Sequence, residues 1–321
     1  MPYTASDWPI SAALLQFSNS LEDGRHVNEA GVEHWASVFA EVRDAGFDNV
    51  DLFDGWVRPG DLTARQIEDF RKTADDIGVG LPAISVVRRS VIDVEHGEDN
   101  LAYSHRTLDA AAALGAKVVS VGLHQALTEA QKRQLWFWTV DGYQDPYDRE
   151  TWNRAVARLR ELGQHAEDNG LILSLEMYED TYLGTADSAV ALVTAIDHPA
   201  VGLNPDIGNL VRLHRPIESW QAMIEKTAPY ANYWHVKNYQ RDEDVARDMY
   251  VAMPAPLESG LISYRKAFEI AIANGFQGVI CCEHYGGDGL SVSASNQRYL
   301  REQILPRTAD YTPGKSRVRQ N

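Results

Sequence analysis

The sequence predicts an α/β fold built as a single (β/α)8 TIM barrel, and three observations carry that prediction. Eight short apolar runs bounded by turn residues alternate with eight amphipathic stretches. Runs such as AKVVSVGL are apolar almost throughout, as strands covered on both faces are. The turn after the first run, QFSNSLEDGR, has no G-x-G-x-x-G, which an open doubly wound sheet would favour there. Eight strand–helix units are the number that closes a parallel barrel.

Taken in order, the strands are expected at residues 10–17, 49–53, 79–86, 116–123, 171–177, 200–206, 232–239 and 278–284. The helices are expected at 32–46, 63–78, 100–115, 150–170, 185–196, 219–230, 263–275 and 295–305. Several helical stretches stop at a glycine, among them Gly78 and Gly115, which tolerates the left-handed conformation that ends a helix. Thr63 with Gln66 has capping-box spacing, and Thr185 with Ser188 marks a looser start. Two connections exceed a simple turn, 124–149 after the fourth strand and 240–262 after the seventh, and both leave the strand ends that form a barrel's catalytic face. The barrel domain is expected over 1–306, with a polar, basic and mobile tail over 307–321.

The chain has 30 Lys and Arg against 46 Asp and Glu, a formal charge of −16. That balance argues against nucleic acid and anionic membranes, whose binding needs basic surface. No basic leader precedes a long apolar run, and no apolar stretch spans a bilayer, so a cytoplasmic protein is the default expectation. The two cysteines, Cys281 and Cys282, are neighbours in a strand, point to opposite faces and are expected free.

Four successive strands end in a charged or metal-ligating side chain: Glu176, Asp206, His235 and Glu283, separated by 30, 29 and 48 residues. Each separation is one strand–helix step, the last lengthened by the insertion, so a barrel brings the four together. A charge at the inner end of a buried strand is costly unless paired or metal-bound. Three carboxylates and an imidazole suit one divalent ion, with Mn2+ the leading candidate and Mg2+, Co2+ and Zn2+ also matching the donor set. His124, just past the fourth strand, is a candidate base, with Glu176 and Glu283 as rivals. Lys237, two residues past His235, shares its face and is a candidate to polarise a substrate oxygen or to pair with a ligand carboxylate. Asn209, Arg212, Trp136 and Trp138 are candidate substrate contacts, the tryptophans because aromatic planes stack on sugars and flat aglycones. No basic cluster supports phosphate binding, so a neutral sugar or glycoside is expected.

The Glu–Asp–His–Glu order on strands five to eight resembles the xylose isomerase-like TIM barrel superfamily of sugar phosphate isomerases and epimerases. That resemblance implies one divalent metal on Glu176, Asp206, His235 and Glu283, with the two glutamates doubling as acid and base. Three positions depart from the common pattern: Met177-Tyr178 where Glu-Pro is frequent, Asp206-Ile207-Gly208-Asn209 where D-x-G-H is, and His235-Val236-Lys237-Asn238 where H-x-K-D is. Through PDIGNLVR and the aromatic insertion after strand four, the chain also resembles the α subunit of bacterial C-glycoside deglycosidases. That closer resemblance implies a carbon–carbon lyase acting on a 3-oxo-glucoside and a small β subunit as partner. The alternative is a keto-sugar isomerase or 3-epimerase; both chemistries begin by removing a proton next to a carbonyl. An endonuclease is disfavoured by the acidic surface, and a binding module by the complete ligand set.

Overall fold

The structure, a computed structural model, describes residues 1–320. Eight parallel strands make one sheet: β1 (Ile10–Ala13), β2 (Asn49–Phe53), β3 (Gly80–Ser85), β4 (Val118–Val121), β5 (Ile172–Glu176), β6 (Val201–Asn204), β7 (Tyr233–Val236) and, after an antiparallel hairpin of β8 (Asn238–Asp244) and β9 (Met249–Ala255), β10 (Val279–Cys282). Their order in the sheet is β6-β5-β4-β3-β2-β1-β10-β7. The ends of this sheet meet. The Asn232 N–H donates to the Leu203 carbonyl at 3.1 Å, and the Asn204 side-chain oxygen accepts from the His235 N–H at 2.8 Å. A side chain thus replaces part of the backbone ladder at the seam, next to two of the predicted site residues.

The helices are α1 (Val32–Asp44), α2 (Ala64–Ile77), α3 (Gly97–Leu114), α4 (Glu129–Lys132), α5 (Arg149–Asp168), α6 (Ala186–Ile196), α7 (Gly208–Val211), α8 (Trp220–Thr227), α9 (Tyr264–Ala273) and α10 (Gly289–Tyr299). All but the single-turn α4 and α7 form the outer ring of a (β/α)8 barrel. Side chains two apart share a strand face, so the sheet sorts its residues into two packed layers. Ala13, Ala83, Val118, Ile172, Tyr233, Val279 and Cys281 fill the barrel interior. Alternate residues such as Val119, Leu173, Leu175 and Leu203 join the layer under the helices. Start and stop signals act where their spacing predicts. Thr63 accepts from the Gln66 N–H, Thr185 accepts from the Ser188 N–H, and Gly78 ends α2 at φ 80°.

Three expectations are corrected. The last helix begins at Gly289 rather than 295, because the Asp288 carboxylate caps it by accepting from the Ser291 N–H at 3.0 Å. The seventh strand stops at Val236 and does not run on to 239, because the chain turns there into the hairpin that occupies most of the 240–262 insertion. The tail is not left loose: the N–H groups of Gly314, Arg317 and Arg319 donate to the carbonyls of Ile272, Pro229 and Pro199. It crosses the loops feeding the N-terminal ends of the barrel strands. Trp8 covers the same end, its indole N–H donating to Gly278 O at 2.9 Å. With that end sealed, access is from the C-terminal ends. Among the described residues no helix is long and apolar enough to cross a membrane.

Candidate functional site

Glu176 closes β5, Asp206 follows β6 by two residues, His235 lies in β7 and Glu283 follows β10. Strand pairing and the seam place these four positions side by side. Ligand-type atoms of Glu176, Asp206 and His235 all lie within 4.8 Å of one another, and all three residues are buried. His235 Nδ1 is 3.2 Å from Glu283 Oε2 and 3.7 Å from Asp206 Oδ2. Lys237 Nζ sits between the carboxylates, 2.7 Å from Asp206 Oδ2 and 2.8 Å from Glu283 Oε1. Glu176, Asp206 and His235 each keep a buried atom without a hydrogen-bond partner: Glu176 Oε2, Asp206 Oδ1 and His235 Nδ1. A buried polar atom without a partner costs about 1–3 kcal/mol, more if charged. Three such atoms from neighbouring strands, two oxygens and a nitrogen, form a donor set that fits a divalent cation.

The remaining atoms of these side chains are held from behind. Asn209 spends its amide N–H groups on Glu176 Oε1 (3.1 Å), Met177 O (2.9 Å) and Asp206 Oδ2 (3.2 Å). It ties two carboxylates together from the position where the common pattern has histidine. On the far side of the imidazole, His235 Nε2 meets Ser85 Oγ at 3.1 Å, Tyr233 OH at 3.2 Å and Asp51 Oδ2 at 3.3 Å. Ser85 Oγ in turn donates to Asp51 Oδ2 at 2.7 Å, and the Cys281 thiol lies 3.7 Å from the same oxygen. A carboxylate at Nε2 holds a proton there, so Nδ1 is the nitrogen at which a cation would take a proton's place.

The electrostatics follow from burial and from the excess of acid. Burial pushes the Glu176 carboxyl up, Asp206 and Glu283 add to it, and His235 and Lys237 oppose it. Burial works the same way on Glu283, but the Lys237 ammonium and His235 overcome it and hold Glu283 below the usual carboxylate range. Burial alone would neutralise His235, yet Cys281, Asp206, Asp51 and Glu283 raise its pKa well above the usual value. The pocket floor therefore draws positive charge.

A pocket opens over this floor. Glu176, His235, Glu283 and Asp51 line it with Phe53, Arg88, His124, Tyr178 and Tyr285. His124 is buried and stacked on Tyr178, with ring centroids 4.3 Å apart and planes 18° apart, and its Nδ1 has no partner. Burial, reinforced by Arg88, Arg212 and Lys237, depresses its pKa well below 6.5, so it is a neutral imidazole with a free ring nitrogen.

Of the residues predicted from sequence, Glu176, His235, Glu283 and His124 line this pocket, and Asp206 and Lys237 stand behind it. The candidate substrate contacts are placed outside this lining: Asn209, Arg212 and Trp138 are buried against other side chains, and Trp136 packs beside Trp138. Asn209 is 1% exposed and holds the carboxylates; Arg212 is 0% exposed and places Nη2 3.0 and 3.1 Å from the two Glu179 carboxylate oxygens. The Arg212 guanidinium also packs on Phe137, Trp138 and Tyr178. Trp138 is buried, and half-buried Trp136 stacks on it at 5.0 Å. Sequence reasoning missed Asp51, Ser85, Tyr178 and Tyr285. Asp51 had a legible signal, a carboxylate inside the apolar strand NVDLF. Arg88 takes a left-handed backbone (φ 55°) at the pocket edge and donates to Tyr178 OH at 3.0 Å.

The comparisons with known proteins agree with this architecture. A crystal structure of a xylose isomerase-like TIM barrel protein from Mycobacterium smegmatis in complex with magnesium is 48% identical, with 94% of this chain and 97% of that chain covered at a TM-score of 0.90. The apo crystal structure of a 3-keto-D-glucoside 4-epimerase from E. coli shares the fold at 17% identity (92% and 99% covered, TM-score 0.64). An L-ribulose 3-epimerase does so at 17% identity (91% and 93% covered, TM-score 0.64). No curated protein matches the chain. The family model described as xylose isomerase-like TIM barrel matches residues 39–304, and the chain belongs to that family.

Proposed function

We propose that this protein is a divalent-metal-dependent enzyme that moves a proton at the carbon next to a sugar carbonyl, acting as an isomerase or epimerase of a keto-sugar. The observation that carries the reading is the buried cluster of Glu176, Asp206 and His235, one ligand atom of each within 4.8 Å of the others, with an unpartnered oxygen or nitrogen left on every one of the three. These three would hold the ion, with Glu283 as the fourth ligand. The oxygen-rich set suits Mg2+ or Mn2+; the similar M. smegmatis protein was crystallised with magnesium. When bound, such an ion offsets the negative charge that grows on a carbonyl oxygen as the adjacent carbon loses its proton.

The chain's own residues supply the rest. His124 lines the pocket, is neutral, keeps an unpartnered Nδ1 and is fixed by its stack on Tyr178, which makes it the candidate base. Glu176, its pKa raised, is the second group able to carry a proton. Lys237 balances Asp206 and Glu283 and so keeps Glu283 ionised. Phe53, Tyr178 and Tyr285 give the pocket apolar walls that limit water. The reading also draws support from fold relatives described as a 3-keto-D-glucoside 4-epimerase and an L-ribulose 3-epimerase.

The test is proton exchange. With Mg2+ or Mn2+ in deuterated water, ketoses and 3-keto-glucosides should gain deuterium at the carbon next to the carbonyl. Chelation should stop the exchange and added ion restore it; exchange that persists in fully chelated protein would overturn the reading. A second outcome of the same proton removal is elimination from a 3-oxo-C-glucoside, the lyase of a C-glycoside deglycosidase α subunit. Its support is the Trp136–Phe137–Trp138 segment beside the pocket, with Phe137 against Tyr285 at 6.1 Å and Leu135 exposed next to it in the chain, a surface for a flat aglycone or a small β subunit. Aglycone release that requires a second chain would select it.

A further inference from the structure

The outer wall carries an array that the pocket does not use. His105 and Asp109 stand one turn apart on α3, and Glu161 and His165 one turn apart on α5, so each pair shares a helix face. The two faces meet. His105 Nδ1 lies 2.7 Å from His165 Nδ1, His105 Nε2 lies 2.9 Å from Glu161 Oε1, and His165 Nε2 lies 2.8 Å from Asp109 Oδ1. The ring centroids are 4.9 Å apart. An N···N contact this short has one N–H and one lone pair. Each Nε2 faces an exposed carboxylate, which only accepts, so each Nε2 carries a proton. At most one proton fits between the two Nδ1 atoms, so at least one of them presents a lone pair.

We propose that this pair is a second metal site, for a borderline transition ion of the Zn2+ or Cu2+ class, bound through His105 Nδ1 and His165 Nδ1 with water completing the coordination. The incoming ion takes the place of any proton between the two nitrogens, which leaves to solvent, and both rings bind through their Nδ1 lone pairs. Glu161 and Asp109 already hold the two Nε2–H groups, the arrangement that orients an imidazole on a metal. Two Zn–N bonds of about 2.0–2.1 Å at a tetrahedral angle require the nitrogens to part only to about 3.3 Å. Each imidazole side chain is 26% exposed, so the pair lies at the protein surface. Two nitrogen ligands select against Mg2+, which prefers oxygen and water. Bound there, the ion would cross-link α3 and α5.

Electron paramagnetic resonance with substoichiometric Cu2+ tests the proposal on the full chain. The pocket also holds two histidines, His235 and His124, so the two-nitrogen pattern is assigned to the outer pair by its loss in variants of that pair, whatever the fate of the pocket reading. The expected result is that two-nitrogen pattern in the wild type, its loss in His105→Gln and in His165→Gln, and one fewer tightly bound Zn2+ in each variant by calorimetry. Glutamine keeps a polar contact, and circular dichroism checks that each variant is folded. A two-nitrogen signal that survives both substitutions, or its absence from the wild type, overturns the site.

Discussion

The two nitrogens of the His235 ring face opposite worlds. Nε2 has three oxygens within 3.3 Å, from Ser85, Tyr233 and Asp51, on strands that pack deep in the barrel. Nδ1 lies 3.2 Å from Glu283 Oε2 yet has no hydrogen-bond partner, and Glu176 Oε2 and Asp206 Oδ1 beside it share that condition. The same ring is anchored on one side and left available on the other. Here the satisfied nitrogen fixes the ring, and the unsatisfied one stands among carboxylates where a cation would fit.

The largest effect expected is on the open side. Asp206→Asn should abolish tight Mg2+ or Mn2+ binding in calorimetry and lower turnover at least about 10³-fold, equivalent to about 4 kcal/mol of transition-state stabilisation. Retained ion binding would mean that the free donors serve something else. His124→Gln comes next: turnover should fall about 10²- to 10³-fold while ion affinity stays unchanged. Unaltered solvent exchange in that variant would move the base to Glu176. The anchored side predicts less. Asp51→Asn should weaken the ion about 10- to 100-fold by loosening the His235 tautomer, with the fold intact. An affinity equal to wild type would show that Ser85 and Tyr233 suffice.

The smallest effect is on stability. The folded His124 pKa is depressed below its unfolded value near 6.5, so the unfolded chain takes up this proton first as pH falls. Its contribution is complete above pH 6.5 and is lost below it, by up to about 1.4 kcal/mol per pH unit. Denaturant melts of His124→Gln should therefore show a shallower loss of stability between about pH 6.5 and 5 than the wild type; identical slopes would place the sensitivity in other groups.

How much of this was legible can be judged residue by residue. Glu176, Asp206, His235 and Glu283 stand out because each interrupts an apolar strand at its end and each is one strand–helix step from the next. Gly78 and the Thr63–Gln66 cap mark helix ends through contacts within a few residues. Arg212 looked free to meet substrate, and nothing local revealed that Glu179 and a ring of aromatics would enclose it. The His105–Asp109 and Glu161–His165 spacings were visible, but each reads as an ordinary helix surface until the other helix is placed against it.

By itself the sequence determined the alternation of strand and helix, the barrel class and the four side chains at neighbouring strand ends. Those features depend on side-chain period and on capping, which are local. Only the tertiary structure decided which nitrogen of His235 is free, that Asn209 stands behind the carboxylates rather than in the pocket, and that His124 is neutral. Each of these depends on burial and on partners contributed by other strands, and those quantities exist only once the barrel has closed.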